Sequence, residues 1–137
     1  MQSKIIKRLK LSTAILKRHG VLLAYVYGSV LGRYFNKESD IDIAVLLPES
    51  YNPRKRFRTM LRLMHDLSVL LGHETEVVVL NDLTALHFKY TVISEGKIFF
   101  STRERAEFEF ESRLMSEYFD FMPFLDRFNK AYLDRHG

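Results

Sequence analysis

The sequence predicts an α/β protein: a small mixed sheet of three to four strands with helices packed on it and a long aromatic helical segment at the C-terminus. Three observations carry this. Short β-branched and apolar runs alternate with longer amphipathic segments, Gly or Asn-Pro punctuates their boundaries, and 47% hydrophobic content in 137 residues supplies a core without a membrane-length apolar block.

Residues 3–19 read as a basic amphipathic helix, in which Ile5, Ile6, Leu9, Thr13 and Leu16 recur at helical spacing among Lys4, Lys7, Arg8, Lys10, Lys17 and Arg18. Gly20 stops it. Residues 21–27 (VLLAYVY) form a strand covered on both faces, ending at Gly28-Ser29. Ser29 is positioned to cap a short helix through Tyr34, NKES makes a turn, and residues 40–47 (DIDIAVLL) form the second strand.

Asn52-Pro53 announces a helix with Phe57, Leu61, Met64, Leu67 and Leu71 as its apolar stripe, closed by Gly72. Residues 75–80 are the third strand, 83–93 a helix and 97–100 a last strand. From about Arg103 the chain reads as helical to its end, kinked or divided at Pro123. With no repeat and no linker, residues 1–137 are expected to form a single domain.

Composition excludes several chemistries. There is no cysteine, hence no disulfide or thiolate zinc site, and the five histidines form no ligand-like pair. A metal here must be held by oxygens. No run approaches the roughly 18 apolar residues of a membrane span, so a cytoplasmic protein with no membrane partner is expected. Residues 1–72 hold 13 Lys and Arg against 5 acids, whereas residues 73–137 hold 8 against 12. The basic half is suited to phosphates or an acidic partner, or is simply a set of solvated helix faces.

The chemistry concentrates in residues 27–47. Side chains two apart in a strand share a face, so Asp40 and Asp42 project together while Ile41 and Ile43 enter the core. Two carboxylates on one face suit a hard cation such as Mg2+. Gly28 lets a phosphate approach the turn backbone, Ser29 adds a hydroxyl donor, and Arg33 offers a positive charge nearby. A third acid is expected from a neighbouring strand. Glu76 is the candidate, with Glu74 on the same face as the fallback.

This pattern, Gly-Ser followed after ten residues by Asp-x-Asp and later by an acidic strand, resembles the polymerase-β-like nucleotidyltransferase superfamily. The small size resembles its minimal nucleotidyltransferase (MNT) members, and the likeness covers most of the chain: the first helix, YGS, DIDIAVLL, EVVVLN, EGKIFF and the aromatic C-terminal helix. The resemblance implies a nucleotidyltransferase fold, Gly28 and Ser29 as nucleotide contacts, and Asp40, Asp42 and Glu76 as ligands of two Mg2+ ions. The third acid of the family is more often Asp, so Glu76 departs from the pattern by one methylene.

Minimal members are similar to antitoxins whose partner is a HEPN-domain ribonuclease toxin, and several transfer AMP from ATP to a toxin tyrosine. The resemblance therefore implies an AMPylating antitoxin with ATP as substrate. Two alternatives stand beside it: an antitoxin that neutralises by contact alone, and a transferase acting on a small molecule. Residues 108–132 hold eight of the 18 aromatics, including Phe121, Phe124 and Phe128, more than one buried helix face requires. Part of that surface is expected to dock the toxin, and no direct nucleic-acid contact is expected.

Overall fold

The protein is described by a computed structural model covering residues 2–33, 35–102 and 106–120. The elements run α1 (Gln2–Leu11), α2 (Thr13–Arg18), β1 (Leu23–Tyr27), β2 (Ile41–Leu46), α3 (Pro53–Leu71), β3 (Thr75–Val79), α4 (Leu86–Glu95) and β4 (Lys97–Ser101), followed by helical residues 106–120, here α5. Four strands form one sheet in the order β3-β2-β1-β4. β1 pairs antiparallel with β2 and with β4, whereas β2 and β3 are parallel, joined by the α3 crossover. The sheet is therefore mixed, as expected.

Each face of the sheet carries its own core. On one side Ile41, Ile43, Val45, Val77 and Val79 pack under Ile5, Leu9, Leu16, Leu63 and Leu67 of α1, α2 and α3. On the other, Leu23, Tyr25, Ala44 and Leu80 pack with Val92 and Ala106, and Tyr27, Val78 and Phe110 close the margin. Alternation along the strands assigns the side chains, so even-numbered β2 residues and odd-numbered β1 residues face α4 and α5.

Several boundaries differ from the sequence expectation, each for a local reason. The first helix is broken in two at Ser12, which is fully buried and donates its hydroxyl to Leu9 O at 2.5 Å, competing with the helical ladder. α3 begins and ends as expected. Asn52 accepts from Lys55 N at 2.8 Å, and Gly72 closes the helix at φ 68°. Its buried stripe, however, is Thr59, Leu63, Leu67 and Leu71. Phe57 and Leu61, expected inside, are 59% and 47% exposed. A helix this rich in Leu, Met and Phe offers two apolar stripes, and the surface it packs on selects one.

The helix expected from residue 83 starts instead at Leu86, because Asn81 holds the chain back: its side chain accepts from Leu47 N at 2.9 Å and donates to Leu47 O at 2.8 Å. This ties the end of β3 to the end of β2. α5 is tied to the sheet by Tyr25, whose hydroxyl donates to Glu111 Oε1 at 2.7 Å. Ala106, Leu114 and Tyr118 are buried on α5's inner face, and Tyr118 stacks on Tyr90 of α4 at 4.0 Å. Tyr34, the expected kink at Pro123, and the aromatics Phe121, Phe124 and Phe128 lie outside the described residues. Among the described residues no helix is long and apolar enough to cross a membrane.

Candidate active site

The strand register builds the site. Asp42 of β2 stands opposite Tyr27 of β1 on one side and opposite Glu76 of β3 on the other. All three side chains lie on the α4/α5 face at one end of the sheet, where β1 finishes and β2 and β3 begin. The turn from Tyr27 into the 3-10 segment Gly28–Leu31 passes close to Asp42.

Gly28 has φ 80°, and a Cβ placed there would sit 2.5 Å from Asp42 Oδ2. Both the left-handed backbone and the close approach require glycine. Ser29 follows on the exposed surface of the turn, and its carbonyl accepts Gly32 N at 2.9 Å. It does not cap a helix. The residue before the 3-10 segment is Tyr27, and no side chain caps it, since the turn is too tight and too short for Ser29 to stand outside its first N–H groups. Its hydroxyl is thereby left to face outward. Arg33 lies exposed beyond the turn, and its charge is not among those that act on Asp42.

Electrostatics mark Asp42 as the strained member. Burial raises its carboxyl above the usual range first, then the charges of Glu76 and Asp40, then a hydrogen bond with Glu76. Asp40, by contrast, is exposed just before β2 begins. The register favours Glu76 over Glu74 as the third acid: Glu74 precedes β3 and contributes its carbonyl to Ile41 N at 2.9 Å.

Tyr27 was not foreseen as part of the site. It is pushed up to about 12 by burial and by the charges of Asp42 and Glu76, and its ring meets Phe88 of α4 edge-on at 5.9 Å. The signal available in the sequence was period two along β1, which places Tyr25 and Tyr27 on one face.

The donor set fits a hard cation. The neighbouring acids raise the proton affinity of Asp42, a positive charge between them would relieve it, and all the candidate ligands are oxygens. Among the described residues no three acids or histidines are gathered into a ready-made metal cluster. Asp42 and Glu76 converge, and Asp40 stands within electrostatic range. Two convergent carboxylates completed by phosphate oxygens and water are the usual protein share of a magnesium site.

The sequence family described as polymerase beta, nucleotidyltransferase matches residues 10–105, from the end of α1 past β4 and across every residue of this site. The chain belongs to this nucleotidyltransferase family. Solved structures share the fold. A toxin-antitoxin structure with AMP-PNP aligns at TM-score 0.60 and 23% identity, over 91% of this chain and 95% of that chain. A tri-AMPylated Shewanella oneidensis HEPN toxin in complex with MNT antitoxin gives 0.61 and 22%, over 92% and 97%. A MntA-HepT toxin-antitoxin structure gives 0.58 and 22%, over 92% and 97%. No curated protein matches the sequence.

Proposed function

We propose that this nucleotidyltransferase transfers AMP from ATP to a tyrosine hydroxyl of a cognate HEPN-domain toxin, and so acts as its antitoxin. The observation that carries the reading is the close approach of the Gly28 turn to Asp42 with Glu76 in register alongside, a glycine backbone set against paired carboxylates. The fold-sharing complex of an MNT antitoxin with a tri-AMPylated HEPN toxin supports the choice of partner and of AMP as the transferred group.

In this reading the triphosphate lies over the Gly28 turn, where no side chain obstructs the backbone, and Ser29 donates its hydroxyl to a phosphate oxygen. Two Mg2+ ions held by Asp40, Asp42 and Glu76 would neutralise the triphosphate and lower the acceptor's pKa. The acceptor oxygen attacks the α-phosphorus. The bond from that phosphorus to the bridging oxygen breaks, pyrophosphate departs with the electron pair, and the phenolic proton passes to solvent. Asp42 must be ionised for this. Burial and the neighbouring acids raise its proton affinity, and a cation bound between them would oppose that pull.

The acceptor's docking surface is the outer face of α5. Phe108 and Phe119 are 71% and 58% exposed and stand eleven residues apart, three helical turns, so both lie on one stripe opposite the buried one. The experiment is mass spectrometry of the purified HEPN partner after incubation with this protein, ATP and magnesium. AMP-sized additions on a tyrosine peptide are expected, and are lost with Asp42→Asn. An unmodified partner whose toxicity is nevertheless neutralised would replace this reading with one of contact alone.

A further inference from the structure

Charge is segregated by layer. On one face of the sheet α1 carries four lysines and arginines, α2 two and α3 five, against the single acid Asp66. Asp66 is already engaged, accepting from Arg18 Nη2 at 3.0 Å with His19 Nε2 also at 3.0 Å. On the opposite face, helical residues 106–120 carry Glu107, Glu109, Glu111, Glu117 and Asp120 with Arg113 alone. The sequence shows the excess of bases in its first half. Only the fold gathers them into one surface, facing away from the site at Asp42.

The centre of that surface is the outer face of α3. Arg54, Arg58 and Arg62 are exposed at intervals of four residues, which sets their stems about 6 Å apart along the helix. None of the three makes an ion pair or hydrogen bond among the described residues. Phe57 and Leu61 lie between them on the same outward face, more than 45% exposed. Lys4, Lys7 and Lys10 of α1, which packs on α3, extend the field sideways, all exposed. A row of exposed guanidinium groups beside an exposed aromatic ring complements a strand that alternates phosphates with stackable bases.

We infer that the α1/α3 layer binds single-stranded nucleic acid, with Arg54, Arg58 and Arg62 on phosphates and Phe57 as a stacking platform. The binding is independent of the nucleotidyltransferase site and of magnesium. It goes beyond the sequence reading, in which no direct nucleic-acid contact is expected. Phosphate contacts and ring stacking are common to both kinds of strand, so RNA and DNA are expected to bind alike.

The test is fluorescence anisotropy with labelled 20-nucleotide uridine and thymidine strands, titrated over a range of KCl without magnesium. Affinity should fall with salt, the logarithmic slope giving about 0.7 per phosphate engaged. The triple variant Arg54→Gln, Arg58→Gln, Arg62→Gln should bind at least tenfold more weakly, lower the slope by about 2, and leave AMP transfer unchanged. Phe57→Ala should weaken binding without altering the slope, since it removes stacking and no charge. Asp42→Asn should bind as the native chain does. A second variant, Lys4→Gln with Lys7→Gln and Lys10→Gln, should lower the slope too. The inference is overturned if neither strand binds, if binding persists with an unchanged slope in both charge variants, or if Asp42→Asn abolishes it. Binding by these arginines only to vesicles of anionic lipid, or only to the acidic layer of a second copy, also overturns it.

Discussion

At the scale of single residues, the site is defined by a glycine that cannot be replaced and a carboxyl that resists ionisation. Gly28→Ala would push a methyl group into Asp42 Oδ2 and force an L-residue to φ 80°. We expect it to cost about 1 to 2 kcal/mol in thermal or denaturant unfolding and to reduce transfer severely. Asp42 carries a proton affinity raised in the folded state, so its contribution to stability is present below its unfolded pKa and is lost as pH rises through the folded value. Without a cation, Asp42→Asn should therefore melt at or above the native Tm near neutral pH, with the difference shrinking under acid. It should also lose the stabilisation that magnesium with ATP gives the native chain. Among the flanking acids, Glu76→Gln should slow transfer far more than Glu74→Gln, because only Glu76 is in register with Asp42.

Elements are held to the sheet by contacts that can be separated from those offered outward. On α5, Tyr25 and Glu111 form the polar tie, and Tyr25→Phe should destabilise the chain by about 1 kcal/mol in chemical denaturation, as a bond to a partly solvated carboxylate is worth little more. Phe108→Ser and Phe119→Ser touch only the outer stripe. They should leave the free energy of unfolding within about 0.5 kcal/mol of native while weakening partner binding, measured by calorimetry, by up to about 2 kcal/mol each where the ring is an anchor. Phe121, Phe124 and Phe128 were singled out from the sequence for the same task, and they fall beyond the described residues. On the other layer, the hydrogen bond from His19 and then that from Arg18 hold Asp66 below the usual carboxylate range. The stability this lends is present above its unfolded pKa and lost as pH falls through the depressed value, so Asp66→Asn should flatten the acid limb of the pH-stability curve.

For the whole molecule, the proposed catalytic site, the proposed docking stripe and the basic layer are assigned to different surfaces, so each should fail alone. A chain with Asp40→Asn and Asp42→Asn should still bind the HEPN partner. It should neutralise toxin only at stoichiometric amounts, whereas the native chain with ATP should silence an excess. Titrating toxin activity against both proteins checks this, and identical curves would assign neutralisation to contact.

The sequence by itself determined the α/β class, the four strands within two residues, the ends of α3 and the family. These follow from local chemistry: period two in strands, an Asn cap ahead of proline, a glycine at φ 68°, and Gly-Ser spaced from Asp-x-Asp. It also named Gly28, Asp42 and Glu76, which the fold brings together. Tertiary structure decided the rest. Whether Phe57 or Leu63 turns inward depends on which surface α3 meets, and the helix itself accommodates either stripe. Ser12 breaks the first helix only because burial leaves its hydroxyl no water to prefer. Tyr27 joins the acids through a register set by β1 and β2 together, and Glu76 outranks Glu74 through the register of β2 and β3. Pairing across strands is a relation between distant segments, and one segment's pattern fixes which face a side chain takes without fixing what stands opposite it.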